Sequence, residues 1–178
     1  MTSEAVRVLK VLQVEDSKED HLWVTHLLEK AHTEGRLGKL SPKVRHATSL
    51  AEALEALRKE HFDVIFFDLF LPDAEGLEGL KEIVPKSGDA PVLVLSGTED
   101  DQMAYETIRY GAQDFLPKSE ISEKSLARRL KLAVERIARG LRLQERRMTT
   151  EVEREVFDRT SLNRIEELSR SLEERLSG

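Results

Sequence analysis

Short apolar runs alternate with segments of helical spacing through the first 140 residues of this chain. Val6–Val14 is a nearly continuous apolar run, as expected of a strand buried on both faces. Asp20–Ala31 then places Leu22, Trp23, Leu27 and Leu28 at helical intervals. Thr33–Pro42, with two glycines and a proline, reads as a loop, and Val44–Ala47 as a short strand. Ser49 and Glu52 form a capping-box signal for a helix over Leu50–Lys59. Asp63–Leu69 is the central apolar strand; Pro72 and Gly76 mark the loop behind it, and Gly76–Val84 the next helix. Pro91–Leu95 (strand), Asp100–Tyr110 (helix) and Asp114–Leu116 (strand) complete the series. A helix opening near Ser122 makes five β and five α segments in strict alternation. That order predicts a doubly wound, five-stranded parallel sheet of (βα)5 type in the α/β class, with another parallel α/β arrangement as the alternative.

From Ser122 to Leu176 there is no proline, and Gly140 is the only glycine. At about 1.5 Å per residue this stretch could be a helix roughly 80 Å long, more than a compact domain needs. Its first part, with Leu126, Leu130, Val134, Ile137 and Leu141, has the spacing of a core-facing helix. Apolar positions then thin out and resume as Leu162, Ile165, Leu168, Leu172 and Leu176, an imperfect coiled-coil seam. A lone helix polar on most faces is marginal in water, so the segment calls for a partner: a second copy of the chain first, an intramolecular hairpin second. The expected division is a domain over residues 1–140 and a helical extension over residues 141–178.

Composition narrows the function classes. The chain has no cysteine, which removes disulfides, thiolate metal sites and a cysteine nucleophile. No signal-peptide core and no apolar run near the ~20 residues of a membrane span is present, so a cytoplasmic protein is expected. Charge is unevenly spread. Residues 1–121 carry 14 basic and 23 acidic side chains, residues 122–147 nine and three, and residues 148–178 five and eight. An acidic body, a basic helix and a mildly acidic tail follow, and the last two could pair. The arginines and lysines of the basic stretch lie all around the helix without aromatics or a DNA-binding motif, so DNA contact is not expected.

Chemistry-bearing residues sit at the C-terminal ends of four strands. Glu15-Asp16 ends the first run, Asp68 the third, Ser96 the fourth, and Lys118 follows the fifth. In an open parallel sheet those ends lie side by side, where ligands bind. Three carboxylates, a hydroxyl and an ammonium gathered there would suit a divalent hard cation such as Mg²⁺ and a phosphoryl group, with Asp68 as nucleophile. This reading requires Asp68 to be open to solvent. Any one carboxylate at a strand end is more often a solvated loop residue or helix cap; it is the set of four that argues for a site.

The motifs VEDSKED, FDLFLPDAEGLEGL, VLVLSGTED and YGAQDFLPK together resemble the receiver domain of bacterial two-component response regulators, a CheY-like, flavodoxin-like fold, over roughly residues 6–140. The resemblance implies that Asp68 is the phosphoacceptor, taking its phosphoryl group from a phosphohistidine on a sensor histidine kinase or phosphotransfer protein. It implies Mg²⁺ held by Asp16, Asp68 and the Phe70 backbone carbonyl, with Glu15 acting through water. Ser96 and Phe115 resemble the hydroxyl–aromatic switch pair, and Lys118 the invariant lysine. A surface around residues 100–137 would carry the signal to the extension, and so to a homodimer or a separate output protein. Three departures stand out: Glu15 replaces the commoner aspartate, Phe70 is bulky where many relatives are polar, and proline precedes Lys118 whereas Ser119 follows it.

Other chemistries find less support. His21, His26, His32, His46 and His61 lack metal-ligand spacing and read as ordinary surface or partly buried histidines. No nucleophile elbow, Walker A loop or dinucleotide fingerprint occurs. The rivals are a metal-dependent phosphatase using Asp68 as nucleophile, whose D-x-D motif this chain lacks because Phe70 stands at the second position, and an inert dimerisation module. No output module lies within these 178 residues, so the extension docks a separate partner or the chain is part of something larger.

Overall fold

The computed structural model describes residues 6–136, 138–140, 148, 149 and 151. Five strands form one sheet: β1 (Arg7–Val14), β2 (Leu40–Ala47), β3 (Val64–Phe67), β4 (Val92–Ser96) and β5 (Asp114–Pro117). All neighbouring pairs are parallel and the order is β2-β1-β3-β4-β5, the doubly wound arrangement. Helices α1 (Lys18–Thr33), α2 (Leu50–Lys59), α3 (Leu77–Ile83), α4 (Asp101–Arg109) and α5 (residues 123–136) follow the strands in turn.

Alternation along the strands divides the core in two. Leu9 and Val11, Val64 and Phe66, and Leu93 and Leu95 point to one face, where Val24 and Leu28 of α1 and Leu126 and Leu130 of α5 cover them. Leu12 and Val14, Ile65 and Phe67, and Val92 and Val94 point to the other, covered by Ala53 of α2 and by Leu80 and Ile83 of α3. Every residue of β3 and β4 is buried, which is why those runs are apolar up to Ser96 at the end of β4.

Three local readings differ from the sequence pattern. Strand β2 begins at Leu40, four residues before the expected Val44, and includes Pro42. An edge strand tolerates a proline because one row of its backbone groups has no ladder partner. The Ser49 hydroxyl accepts from the Glu52 N–H (3.2 Å) as a cap should, but the Glu52 carboxylate reaches Thr48 instead, accepting from its N–H (2.7 Å) and hydroxyl (2.9 Å). The loop behind β3 contains a small antiparallel hairpin, Phe70–Leu71 against Ala74–Glu75, ending at Gly76 with φ +59°. The carboxylate of Asp73 in its turn accepts from the N–H groups of Leu50 and Ala51 (both 2.9 Å), tying the hairpin to the start of α2.

Residues through Ile137 form one compact unit and Ala138–Gly178 a second, in which residues 138–140, 148, 149 and 151 are helical. The coiled-coil seam expected over Leu162–Leu176 lies outside the described residues. Among the described residues, no helix is long and apolar enough to cross a membrane.

Gly79 shows how closely α3 lies on the sheet. A Cβ there would stand 2.8 Å from the Phe67 ring and 3.1 Å from the Ala74 methyl. Gly79→Ala should destabilise the fold by roughly 1–2 kcal/mol in urea unfolding, because overpacking outweighs the gain in helix propensity. A variant as stable as the parent, or more so, would contradict this packing.

Candidate functional site

The site is built by extending the sheet ladder past its last apolar residues. The Glu15 N–H donates to the Ala47 carbonyl (2.9 Å) and the Asp68 N–H to the Val14 carbonyl (3.0 Å), so β1 and β3 deliver their acids to the same rim. Ser96 ends β4 opposite Pro117 of β5, which places Lys118 next along that edge. Position in the ladder, rather than any local motif, brings these residues together.

Lys118 is the hub. Its ammonium donates to Glu15 Oε2 (2.7 Å), Asp68 Oδ2 (2.7 Å) and Asp20 Oδ2 (2.5 Å), joining β1, β3 and the first turn of α1. The remaining oxygens are held by backbone: Asp68 Oδ1 accepts from the Phe70 N–H (3.0 Å) and Glu15 Oε1 from the Ser17 N–H (3.1 Å). Burial pulls the Lys118 pKa down, but the hydrogen bonds to Asp20, Asp68 and Glu15 outweigh it and hold the ammonium above the usual lysine range. Glu15 shows the opposite balance. Burial, aided by the Asp68 charge, pushes its carboxyl up to about 7 against the pull of Lys118.

The predicted residues are placed as follows. Glu15, Asp68 and Lys118 are in direct contact, and Ser96 is fully buried at the neighbouring strand end, its Oγ accepting from the Thr98 N–H (3.3 Å). Phe115 is partly buried, packed against the core face that α2 and α3 cover. Phe70 is 45% exposed. Asp16 is exposed and stands apart from the ammonium cluster. The expectation that Asp68 lies open is not met: the residue is only 6% exposed, because Lys118 and the hairpin backbone close over its carboxylate. After Lys118 the chain makes a short 3₁₀ turn, Lys118–Glu120, where many relatives of the resembled family have a proline.

The donor set suits a hard divalent cation. It is all oxygen, and three carboxylates on one ammonium leave net negative charge even before Asp16 is counted. Among the described residues, however, no three acidic or histidine side chains are already set around an ion. The gathering of Glu15, Asp16 and Asp68 about one metal is therefore not the arrangement seen, since two of these carboxylates are turned to the ammonium.

Two features were missed from sequence. Asp20 joins the cluster from the first turn of α1, and no spacing in the sequence pointed to it. His21 and His46, partly buried as expected, also stack, with ring centroids 3.7 Å apart and planes within 3°. His21 Nδ1 lies 2.9 Å from Gln13 Oε1 and His46 Nε2 lies 2.7 Å from the Glu15 carbonyl, so the pair buttresses the strand end carrying Glu15. Only tertiary structure brings residues 25 positions apart into that stack.

Comparison with known proteins agrees with the geometry. The family model described as the response regulator receiver domain matches residues 11–131. The transcriptional regulatory protein KdpE of Staphylococcus aureus is 32% identical over 131 residues, covering 74% of this chain and 52% of that protein. The DNA-binding transcriptional regulator NtrC of Proteus hauseri is 34% identical over 109 residues, covering 61% of this chain and 22% of that one. The chain thus matches from about a fifth to about half of the length of these two relatives. Among solved structures, the non-phosphorylated HemR receiver domain from Leptospira biflexa superposes with a TM-score of 0.57 at 28% identity, covering 71% of this chain and 94% of that one.

Because the folded-state pKa of Glu15 lies above the ordinary 4.5, its contribution to stability is complete below about pH 4.5 and is lost as pH rises through about 7. In metal-free buffer, Glu15→Gln should therefore gain on the parent by roughly 1–2 kcal/mol between pH 5 and pH 8. Urea unfolding at both pH values measures this; a pH-independent difference would contradict the assignment.

Proposed function

The chain belongs to the response regulator receiver family, and from that premise we propose that Asp68 accepts a phosphoryl group from a phosphohistidine of a sensor histidine kinase or phosphotransfer protein. The observation that carries the reading is the Asp68 carboxylate at the end of β3, gripped by the Lys118 ammonium at 2.7 Å and by the Phe70 N–H at 3.0 Å; with Asp68 only 6% exposed, the reading needs that cover to move aside before a donor reaches the carboxylate. In the transfer, a carboxylate oxygen of Asp68 forms the new O–P bond. The P–N bond of the donor breaks, and the imidazole nitrogen keeps the electron pair. The product is an acyl phosphate, a signalling state that water can hydrolyse; the protein's own chemistry is then at most self-phosphorylation and autodephosphorylation.

Each neighbour has a role in this reading. Lys118 balances charge on the phosphoryl oxygens, and the Ser96 hydroxyl donates to one of them. The Phe115 ring turns further inward behind Ser96. Asp16, Asp68 and the Phe70 carbonyl, with Glu15 through water, would hold Mg²⁺, which would neutralise part of the charge on the transferring group. Tyr105 and Ile108 on α4 and Leu132 on α5 are exposed apolar side chains on two elements of the α4–β5–α5 face that would report the change. Residues 1–140 would then be the receiver and residues 141–178 an extension serving dimerisation and output, either to a second copy or to a separate protein. Direct DNA contact is not part of this reading; Arg129 of the basic helix is engaged with both oxygens of Asp114 (2.7 and 2.8 Å).

Incubated with Mg²⁺ and a small phosphodonor, the parent should acquire one acid-stable, base-labile phosphoryl group and Asp68→Asn should acquire none; equal labelling would refute the assignment. Phe70, two residues beyond the acceptor, should shield the acyl phosphate from water, so Phe70→Asn should lose its label several-fold faster. Identical decay would remove that role. Solution mass with beryllofluoride and Mg²⁺ should give a dimer for the full chain and a monomer for a chain ending at Gly140, whereas a monomeric full chain would exclude dimerisation through the extension.

A further inference from the structure

An ammonium has three N–H donors, and all three of Lys118 are committed, one each to Glu15, Asp68 and Asp20. Lys118 can bind phosphoryl oxygens only by giving up one of these partners. The partners differ in what their release leaves behind. The side chains of Glu15 and Asp68 are 3% and 7% exposed, so in the metal-free resting site either would become a buried carboxylate without its counter-charge, a costly state. The side chain of Asp20 is 38% exposed, and water can take the place of the ammonium there.

Resting on the phosphoacceptor reading above, we infer that Asp20 is a positioning residue: it holds the third N–H of Lys118 in the unphosphorylated state and must release it before that ammonium can bind the incoming phosphoryl group. Asp20 thereby sets a threshold for phosphorylation. Its negative charge at the rim also repels an anionic phosphodonor, so both effects act in the same direction. Asp20 is well placed to act as a releasable clamp. Its own N–H is fixed by the Ser17 hydroxyl (3.2 Å) at the start of α1, so the helix start does not depend on where its carboxylate points.

The test uses the full chain, Mg²⁺ and a small phosphodonor such as phosphoramidate. Asp20→Asn, which keeps size and removes charge, should be phosphorylated on Asp68 roughly three- to tenfold faster than the parent, the effect of one partly exposed ion pair. It should also bind beryllofluoride at correspondingly lower concentration, read by the fluorescence of Trp23, the sole tryptophan. Asp20→Glu should restore the parent rate, and the Mg²⁺ midpoint should stay within about twofold. A rate equal to or below the parent's would overturn the inference, as would a thermal-midpoint change without a rate change, which marks a purely structural residue. A severalfold weaker Mg²⁺ midpoint would also overturn it, assigning Asp20 to the ion instead. If the parent takes no label, the phosphoacceptor reading falls together with this one; a parent that labels at a rate indifferent to position 20 sinks this inference alone.

Discussion

One ammonium shared among three carboxylates organises the functional edge of this protein. Lys118 joins the ends of β1 and β3 to the start of α1, and the acids at those two strand ends, Glu15 and Asp68, are ones that burial would disfavour. Without that ammonium, Glu15 and Asp68 would be buried like charges on adjacent strands, an arrangement that raises one pKa sharply. Even with it, Glu15 is pushed up to about 7, so the neutralisation is incomplete. The site is therefore poised: compact enough to hide Asp68, and short of positive charge.

That shortage links the resting geometry to chemistry. A cluster with more acid than base suits a divalent cation, whose charge would offset that of an added phosphoryl group beside Lys118. The supports around it are fixed by backbone rather than by long side chains. The Phe70 and Ser17 N–H groups hold the outer carboxylate oxygens, and the His21–His46 stack holds the strand end bearing Glu15 through its carbonyl. Of the three acids on the ammonium, Asp20 is thus the one most open to water and the least costly to release.

Much of the fold was legible because parallel strands buried on both faces must be apolar throughout. The runs ending at Phe67 and Leu95 could not be mistaken for half-exposed strands, and turn residues separated them from amphipathic helices. Where burial is one-sided the signal faded. Strand β2, at the sheet edge, hid its first half behind Pro42 and flanking polar residues, and the small hairpin at Phe70–Glu75 had too few residues for any period to show. Glu52 likewise satisfied a capping pattern in spacing while bonding one residue earlier.

For the site, the chain alone determined which groups reach the rim, since strand ends in a parallel sheet converge whatever the side chains do. Glu15, Asp68, Ser96 and Lys118 were named from position, and their type dictated hard-cation and phosphoryl chemistry. Tertiary structure decided how those groups divide one positive charge: that Asp68 is covered, that Asp16 stays outside the cluster and that Asp20 enters it. The physical reason is that ladder register is a property of the backbone, repeated along a strand and visible in a pattern. The sharing of an ammonium depends on distances among side chains up to 103 residues apart, and no periodicity in the chain encodes those.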